Sequence, residues 1–164
     1  MTTPHPILTA ARRAGASSAE VFFVEAEETP VQFEANRLKQ INSRQTKGAA
    51  LRVIAGGRIG FASSTRPGDV EDLVAAAMET APFGPEAHFD FPSDGRAPAV
   101  DVFDAAVESL STDAMIETGQ SLVDAMRDVE PDLLCDASVR RSVSNVTIAN
   151  SNGGQFTYRG TMLS

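Results

Sequence analysis

The side chains best suited to catalysis are few and lie far apart in the sequence. His5 lies in a proline-flanked terminus, and His88 lies beside Phe89 without a second histidine at metal-ligand spacing. Cys135 is the one cysteine, and no histidine near it in sequence could activate a thiolate. We therefore expect His5 to lie in a solvated tail, His88 to be a surface or capping histidine, and Cys135 to be a buried structural thiol. No catalytic residue, cofactor or zinc site is predicted within this chain, and its substrate-binding residues stay unknown at this stage.

Five glutamates make the first predicted pair of strands acidic, and they could in principle bind a cation. Alternate residues along a strand point to opposite faces, however, so their spacing does not bring the carboxylates together. The sequence also lacks the loop pattern of a calcium site. A solvated sheet face is the favoured interpretation for Glu20, Glu25, Glu27, Glu28 and Glu34.

Two short motifs resemble functional loops only superficially. Gly56–Gly60 lacks the lysine and the following helix of a phosphate-binding loop, so a hairpin turn explains it. Ser63–Thr65 lacks the glycines of a nucleophile elbow, so helix capping is the expected use. Arg52, Arg58 and Arg159 could bind a carboxylate or a peptide terminus, but arginines in an acidic protein more often pair with glutamates across strands.

The elements that must position these residues follow from hydrophobic periodicity. Val70, Leu73, Val74, Ala77 and Ala81 have helical spacing and predict the clearest helix. The other predicted helices cover 7–14, 103–110 and 112–130, the last with Met115, Ile116, Leu122, Val123, Met126 and Val129 inward. The predicted strands are 19–27, 31–36, 48–54, 58–63, 133–139, 143–150 and 155–161.

The remaining segments predict turns and a linker. Thr29-Pro30 is expected to turn the chain, and 37–44 to form a helical turn or an irregular crossover. Residues 84–101 contain Pro85, Pro92, Gly95 and Pro98 and predict an ordered linker, in which Phe89 and Phe91 anchor onto the core.

These elements predict an α+β fold: a curved, mostly antiparallel sheet with helices packed on one face. Residues 1–101 would form a first α+β unit with its linker, and 102–164 a second, truncated helix-plus-strands unit of the same domain. Ala35-Asn36 and Ala149-Asn150 occupy matching places in the two halves. An internal duplication and a chance similarity of α+β units are both compatible with this pattern.

Composition limits the classes of partner. The chain has 164 residues and a formal net charge of −8, which disfavours binding to nucleic-acid phosphates. No apolar run is long enough to span a bilayer, and a single cysteine fits a reducing cytoplasm. We expect a cytoplasmic protein without nucleic-acid or membrane partners.

Several segments, taken in order, resemble the amino-terminal domain of the TldD/PmbA family, also called modulator of DNA gyrase. The most specific part is the Gly-x-x-Leu-Arg-Val strand followed by Gly-Phe-Ala-Ser. The resemblance covers nearly the whole chain. Its motifs are Ser18–Phe23, Phe33–Leu38, Lys47–Ile54, Gly56–Ser64, Val102–Ser111 and Asn150–Gly153.

The resemblance implies a zinc metallopeptidase, or the inactive paralogous partner of one, that acts on unfolded or peptide substrates. Family members work as pairs of paralogous subunits, so a paralogous subunit or a homodimer is implied. The family's H-E-x-x-x-H zinc motif and later cysteine belong to the region after this chain's end, and zinc is expected there if the parent is the active paralogue. By this interpretation the chain is a non-catalytic domain that is inactive alone. The alternatives are a protein–protein interaction module that modulates DNA gyrase, without a proteolytic role, and a scaffold for dimerisation.

Overall fold

The computed structural model describes residues 4–93 and 99–164, and it confirms the α+β fold class. Within those residues a six-stranded sheet has the strand order β4-β3-β1-β5-β6, and β2 also pairs with β1. The pairs β1–β2 and β3–β4 are antiparallel. The elements are α1 (Pro4–Arg13), β1 (Ser18–Glu34), β2 (Arg37–Ile41), β3 (Arg44–Ala55), β4 (Arg58–Ser64), α2 (Val70–Thr80), a 3₁₀ turn (Ala81–Phe83), α3 (Ala105–Ser109), α4 (Thr112–Val129), β5 (Ala137–Asn150) and β6 (Gln155–Leu163).

The chain folds into two compact units, each assembled from three segments. The first unit comprises Met1–Glu25, Thr46–Val100 and Asn145–Tyr158, and the second comprises Ala26–Gln45, Asp101–Ser144 and Arg159–Ser164. The division at residue 101 and the internal duplication stay predictions. Part of the predicted linker, with Gly95 and Pro98, lies outside the described residues.

The first unit is built around two amphipathic helices on the sheet. α1 buries Ile7, Leu8 and Ala11, and α2 buries Leu73, Val74 and Ala77, as the helical spacing predicts. Val21, Leu51 and Val53 from the strands complete the same core. The β3–β4 hairpin is also confirmed, because Gly56 and Gly57 have φ values of 57° and 76°, the left-handed conformation of a tight two-residue turn.

The second unit has its own apolar core, formed by β1, α4 and β5. Val31 and Phe33 pack with Met115, Val123 and Val139. The Ser111 side chain accepts a hydrogen bond from the main-chain N of Ala114 and caps α4.

The predicted turn at Thr29-Pro30 is wrong, because β1 runs without a break from Ser18 to Glu34. Thr29 is buried, and its Oγ1 hydrogen-bonds Ser43 Oγ at 2.6 Å. Pro30 still offers a carbonyl, which accepts from Asn42 N at 3.4 Å. A proline removes only one main-chain donor from the ladder, so β1 continues through Pro30. The interruption instead falls in the strand opposite, between the end of β2 and the start of β3.

The prediction of a helical turn or an irregular crossover over 37–44 is also wrong. Residues 37–41 form β2, which returns along β1 with Glu34 opposite Arg37 and Val31 opposite Ile41. Ala35 and Asn36 make the turn with φ values of 48° and 68°. A non-glycine pair in this conformation is uncommon, so the sequence carries no strong hairpin signal here.

Two further predictions need correction in the second unit. The strands expected at 133–139 and 143–150 are one strand, β5, and 133–136 lie outside it. Leu122, Met126 and Val129 of α4 are exposed, whereas Met115 and Val123 are buried as predicted. Only one side of the apolar stripe of α4 packs on the core, which leaves Leu122 and Met126 exposed. Val129 is exposed because it is the last residue of the helix.

Candidate functional site

The side chains best suited to catalysis are not assembled into a site. His5 lies in α1 and His88 follows the 3₁₀ turn, and both are exposed in the first unit. Cys135 is half-buried in the second unit, where its Sγ lies 3.0 Å from Asn36 Oδ1. Across residues 4–93 and 99–164, no three or more His, Cys, Asp or Glu side chains converge as metal ligands. The donor set of the described chain does not fit a tetrahedral zinc ion.

Each of the five glutamates that could in principle bind a cation is instead paired with a basic side chain. The pairs join neighbouring strands and neutralise the acidic face that the sequence predicts. They are Glu20–Arg52 at 2.5 Å, Glu25–Lys47 at 2.9 Å, Glu27–Arg141 at 3.2 Å, Glu28–Arg44 at 3.0 Å, Glu28–Arg140 at 3.1 Å and Glu34–Lys39 at 3.3 Å.

Arg52 fixes the segment after the 3₁₀ turn. Its guanidinium lies 5.5 Å from the ring centroid of Phe89 and 5.2 Å from that of Phe91, while it pairs with Glu20. Phe91 is buried, as an anchor should be, but Phe89 remains exposed. Arg52 is thus occupied by internal contacts.

The other two arginines are also engaged. Arg58 Nη1 donates to Gly84 O at 2.8 Å, and the Arg58 guanidinium lies 3.9 Å from Glu86. Arg159 contacts the carboxylate of Glu108, and its guanidinium lies 4.9 Å from the Phe103 ring centroid. Arg58 and Arg159 thus meet glutamates, but not across strands as the sequence favours, because Glu86 follows the 3₁₀ turn and Glu108 lies in α3.

Ser63–Thr65 end β4 without forming a nucleophile site. Ser64 Oγ accepts a hydrogen bond from Arg66 N at 3.0 Å, which stabilises the turn before α2. Gly56 and Gly57 form the β3–β4 turn described above.

Among the described residues, Asp90 has a pKa that its surroundings clearly shift. The hydroxyl of Ser18 donates to Asp90 Oδ1 at 2.6 Å, and Phe91 N donates to the same atom at 2.8 Å. These hydrogen bonds, the Ser18 one foremost, lower the pKa of Asp90 below 3.8. The carboxylate therefore serves to hold 90–91 against the start of β1.

The outer edge of β4 is closed by the chain itself. Ile59 N donates to Pro85 O at 2.9 Å, and Ala87 N donates to Gly57 O at 2.8 Å. Next to them, Thr80 Oγ1 accepts from Phe61 N at 2.9 Å. A peptide strand therefore cannot add along this edge without displacing these bonds.

In the second unit, β6 is also covered beside Thr161. Thr161 N donates to Val102 O at 2.9 Å, and Thr161 Oγ1 accepts from Asp104 N at 2.8 Å. The segment before α3 thus occupies the main-chain N–H and the hydroxyl of Thr161.

β2 is different, because it pairs with β1 on one side and all five of its residues are exposed. Asn42 N donates to Pro30 O, so the alternation of an antiparallel ladder directs the main-chain groups of Ile41 away from β1. Among the described residues no strand pairs with that outer edge. Lys39 has no main-chain pairing partner on β1 and forms a bulge there, although its side chain pairs with Glu34 of β1.

The two faces of β2 differ in chemistry. Leu38 lies opposite Phe33 and Ile41 opposite Val31, so both share the face that carries the second core. They are nevertheless exposed, as are Leu122 and Met126 of α4, the helix that contacts β2. Arg37, Lys39 and Gln40 supply polar side chains. The outer edge of β2, Arg37–Ile41, is the candidate functional site, and its geometry suits an extended chain with apolar side chains on one face.

A groove in the first unit is lined by residues of α1, β1, β5 and the start of β6. Its volume is about 530 Å³, with Leu8, Phe23 and Ala149 among its apolar lining. His5 and Glu25 lie at its polar side, but Glu25 is already paired with Lys47.

Sequence reasoning missed β2 and the role of the asparagines. Asn36 Oδ1 and Asn150 Oδ1 each accept main-chain N–H groups, from Cys135 and from Asn152 and Gly154 respectively. The repeated Ala-Asn pair is the available signal, because asparagine is favoured where its side chain bonds nearby backbone.

The model of a protein family matches residues 19–81, and the family is described as PmbA/TldA metallopeptidase domain 1. No curated protein matches the chain. Among the described residues no helix has the length and apolar character needed to cross a bilayer.

Solved structures share the fold at low sequence identity. TldE from Thermococcus kodakarensis has a TM-score of 0.80 at 15% identity, over 96% of this chain and 36% of its own. A candidate modulator of a DNA gyrase from Thermotoga maritima has a TM-score of 0.76 at 15% identity, and the match covers 96% of this chain and 36% of that protein. A candidate modulator of DNA gyrase from Bacteroides thetaiotaomicron has a TM-score of 0.79 at 18% identity, and the match covers 97% of this chain and 38% of that protein. The chain thus spans little more than a third of the length of these proteins, which share its fold. The family model confirms the resemblance drawn from the sequence motifs over residues 19–81.

Proposed function

We propose that this chain, which belongs to the TldD/PmbA family and carries its amino-terminal domain, is the non-catalytic part of a zinc metallopeptidase or of its inactive paralogous partner. In the full-length protein, peptide or unfolded polypeptide substrates would be cleaved by residues outside this domain. The family model's description as a metallopeptidase domain supports this proposal.

The observation that carries the proposal is the exposed outer edge of β2. An extended peptide that added there would gain main-chain hydrogen bonds irrespective of its sequence, which suits a protein that handles unfolded substrates. Leu38 and Ile41 would contact its apolar side chains, while Arg37 would favour acidic ones. The domain would thereby align the substrate and leave the chemistry to another region.

Cofactor, partner and location follow the same proposal. Zinc would be bound outside this chain, because the described donors do not converge. A paralogous subunit or a second copy would complete the assembly, in the cytoplasm.

The division of labour is tested with the purified chain and casein as the unfolded polypeptide. We expect casein to bind, no casein fragments to appear on gels, and elemental analysis to find no stoichiometric zinc. Stoichiometric zinc, or casein hydrolysis that a chelator abolishes, would overturn the non-catalytic assignment.

The second candidate function is an interaction module for DNA gyrase, without a proteolytic role. It is favoured by the fold shared with two proteins described as candidate gyrase modulators. Co-sedimentation of the chain with purified gyrase, together with failure to bind casein, would support this function over the first.

A further inference from the structure

Phe83 is 90% exposed, although it lies in a regular 3₁₀ turn of the first unit. Phe61 is 55% exposed on β4. With Ile59 and Gly84, these two rings line an open depression of about 780 Å³. An exposed apolar patch rimmed by polar residues is typical of an interaction surface.

The exposure of Phe83 does not come from a loose loop. Gly84 N donates to Ala81 O at 3.1 Å, and Arg58 Nη1 holds Gly84 O at 2.8 Å. A Cβ at Gly84 would overlap the carbonyl oxygen of Ile59, so the turn is pressed directly against β4. Phe83 is therefore held in solvent by a fixed frame.

Phe61 is fixed in the same way, and its backbone is not available. Thr80 Oγ1 accepts from Phe61 N and lies 3.1 Å from Phe61 O. A Cβ at Gly60 would overlap Ala77 O, which holds α2 close to β4. Only side chains can be recognised here, which separates this surface from the outer edge of β2.

The acidic side chains beside the two rings and the small exposed area of the rings indicate what kind of partner would bind there. Glu79 lies beside the rings, and Asp72, seven residues earlier, lies on the same exposed face of α2. The two rings expose about 300 Å² together, if a phenylalanine presents about 200 Å². A standard interface needs about 800 Å² per partner, so this patch is too small to hold two copies of the chain together on its own.

We propose that the Phe61–Phe83 patch docks a short segment of a partner protein that carries one or two apolar anchors flanked by lysine or arginine. The anchors would pack on the rings, and the basic side chains would face Glu79 and Asp72. This partner site goes beyond the proposed function and does not depend on it.

The test uses fluorescence anisotropy with a short, labelled, acetylated peptide of alternating leucine and lysine. We expect the wild-type chain to bind it, and Phe83→Ser and Phe61→Ser to weaken binding by about tenfold or more, as loss of an interface anchor does. Val129→Ser is the matched control, because Val129 is 85% exposed but lies on α4. Circular dichroism checks that each variant keeps its fold.

Three outcomes would overturn the proposal. The first is absence of wild-type binding. The second is equal binding by wild type and by Phe83→Lys, which adds a repelling charge at the patch. The third is a concentration-dependent dimer that Phe83→Ser abolishes, because the occupant would then be a second copy.

Discussion

Asn36 Oδ1 accepts two hydrogen bonds from one residue, Cys135: from the main-chain N at 2.9 Å and from Sγ at 3.0 Å. The same amide donates through Nδ2 to Leu133 O at 2.7 Å. Because Asn36 also forms the β1–β2 turn at a φ of 68°, one side chain joins the start of β2 to the segment before β5.

Two replacements of Asn36 should distinguish the stability that its side-chain hydrogen bonds contribute from the stability that depends on its left-handed backbone conformation. Asn36→Ala loses both and should lower the free energy of unfolding by about 2–4 kcal/mol. Asn36→Gly keeps the left-handed conformation without strain, so it should cost about 1 kcal/mol less. Urea unfolding of the two variants measures the difference, and equal losses would show that the strain of the turn is irrelevant.

Arg141 and Arg140 are adjacent residues with opposite surroundings. Arg141 is 18% exposed and donates to Glu108 O and Leu110 O, whereas Arg140 is 46% exposed beside Glu28. Arg141→Lys should destabilise the chain by about 1–2 kcal/mol, because a lysine cannot reproduce the forked donors. Arg140→Lys should change stability by less than about 0.5 kcal/mol. Similar effects in thermal unfolding would contradict the role given to Arg141.

Gly119 lets α4 approach the sheet. A Cβ at this position would overlap the Phe33 ring, which is buried in the second core. Gly119→Ala should therefore lower stability by about 1 kcal/mol or more, despite a helix-propensity gain of about 1 kcal/mol. Gly68→Ala is the control, since a Cβ at Gly68 would meet no atom within 4 Å. Its stability should stay the same or rise slightly.

The pKa of Asp90 gives a pH dependence with a definite sign. Folding lowers this pKa below 3.8, so the folded chain binds fewer protons there than the unfolded chain. The contribution of Asp90 is present above pH 3.8 and is lost as the pH falls through the lower, folded-state pKa. NMR titration should show the Asp90 pKa rising in Ser18→Ala. If the pKa stays in place, the Ser18 hydroxyl is not the main cause.

The sequence predicts elements well wherever local chemistry and packing agree. The α2 stripe and the Gly56-Gly57 turn are such cases, since one face is buried and one turn type is favoured. The predicted break in β1 is wrong because Pro30 is a strong local signal, whereas the structure accommodates it by interrupting the neighbouring strand at Asn42 and Ser43.

The candidate site is hidden from the sequence for a different physical reason. The turn that leads into β2 requires left-handed conformations at Ala35 and Asn36, which Asn36 stabilises through contacts about a hundred residues away. Leu122 and Met126 follow the apolar pattern of α4 yet remain exposed, because periodicity does not say which side of a stripe a core will cover. Long-range contacts of this kind cannot be inferred from local spacing.

The outer edge of β2 can be tested without changing its pairing with β1. Ile41→Pro removes a main-chain N–H that points outward, and prolines are tolerated at strand edges. Ile41→Val keeps that N–H and is the matched control. We expect Ile41→Pro to fold normally and to lose casein binding, while Ile41→Val binds casein as the wild type does.

The most direct measurement is amide hydrogen exchange of residues 37–41 with and without casein. If an extended polypeptide adds to β2, casein should slow exchange of the outward amides in the wild type and in Ile41→Val, and leave Ile41→Pro unchanged. Unchanged exchange at 37–41 in the wild type, while casein is bound, would contradict the peptide-aligning role of this edge.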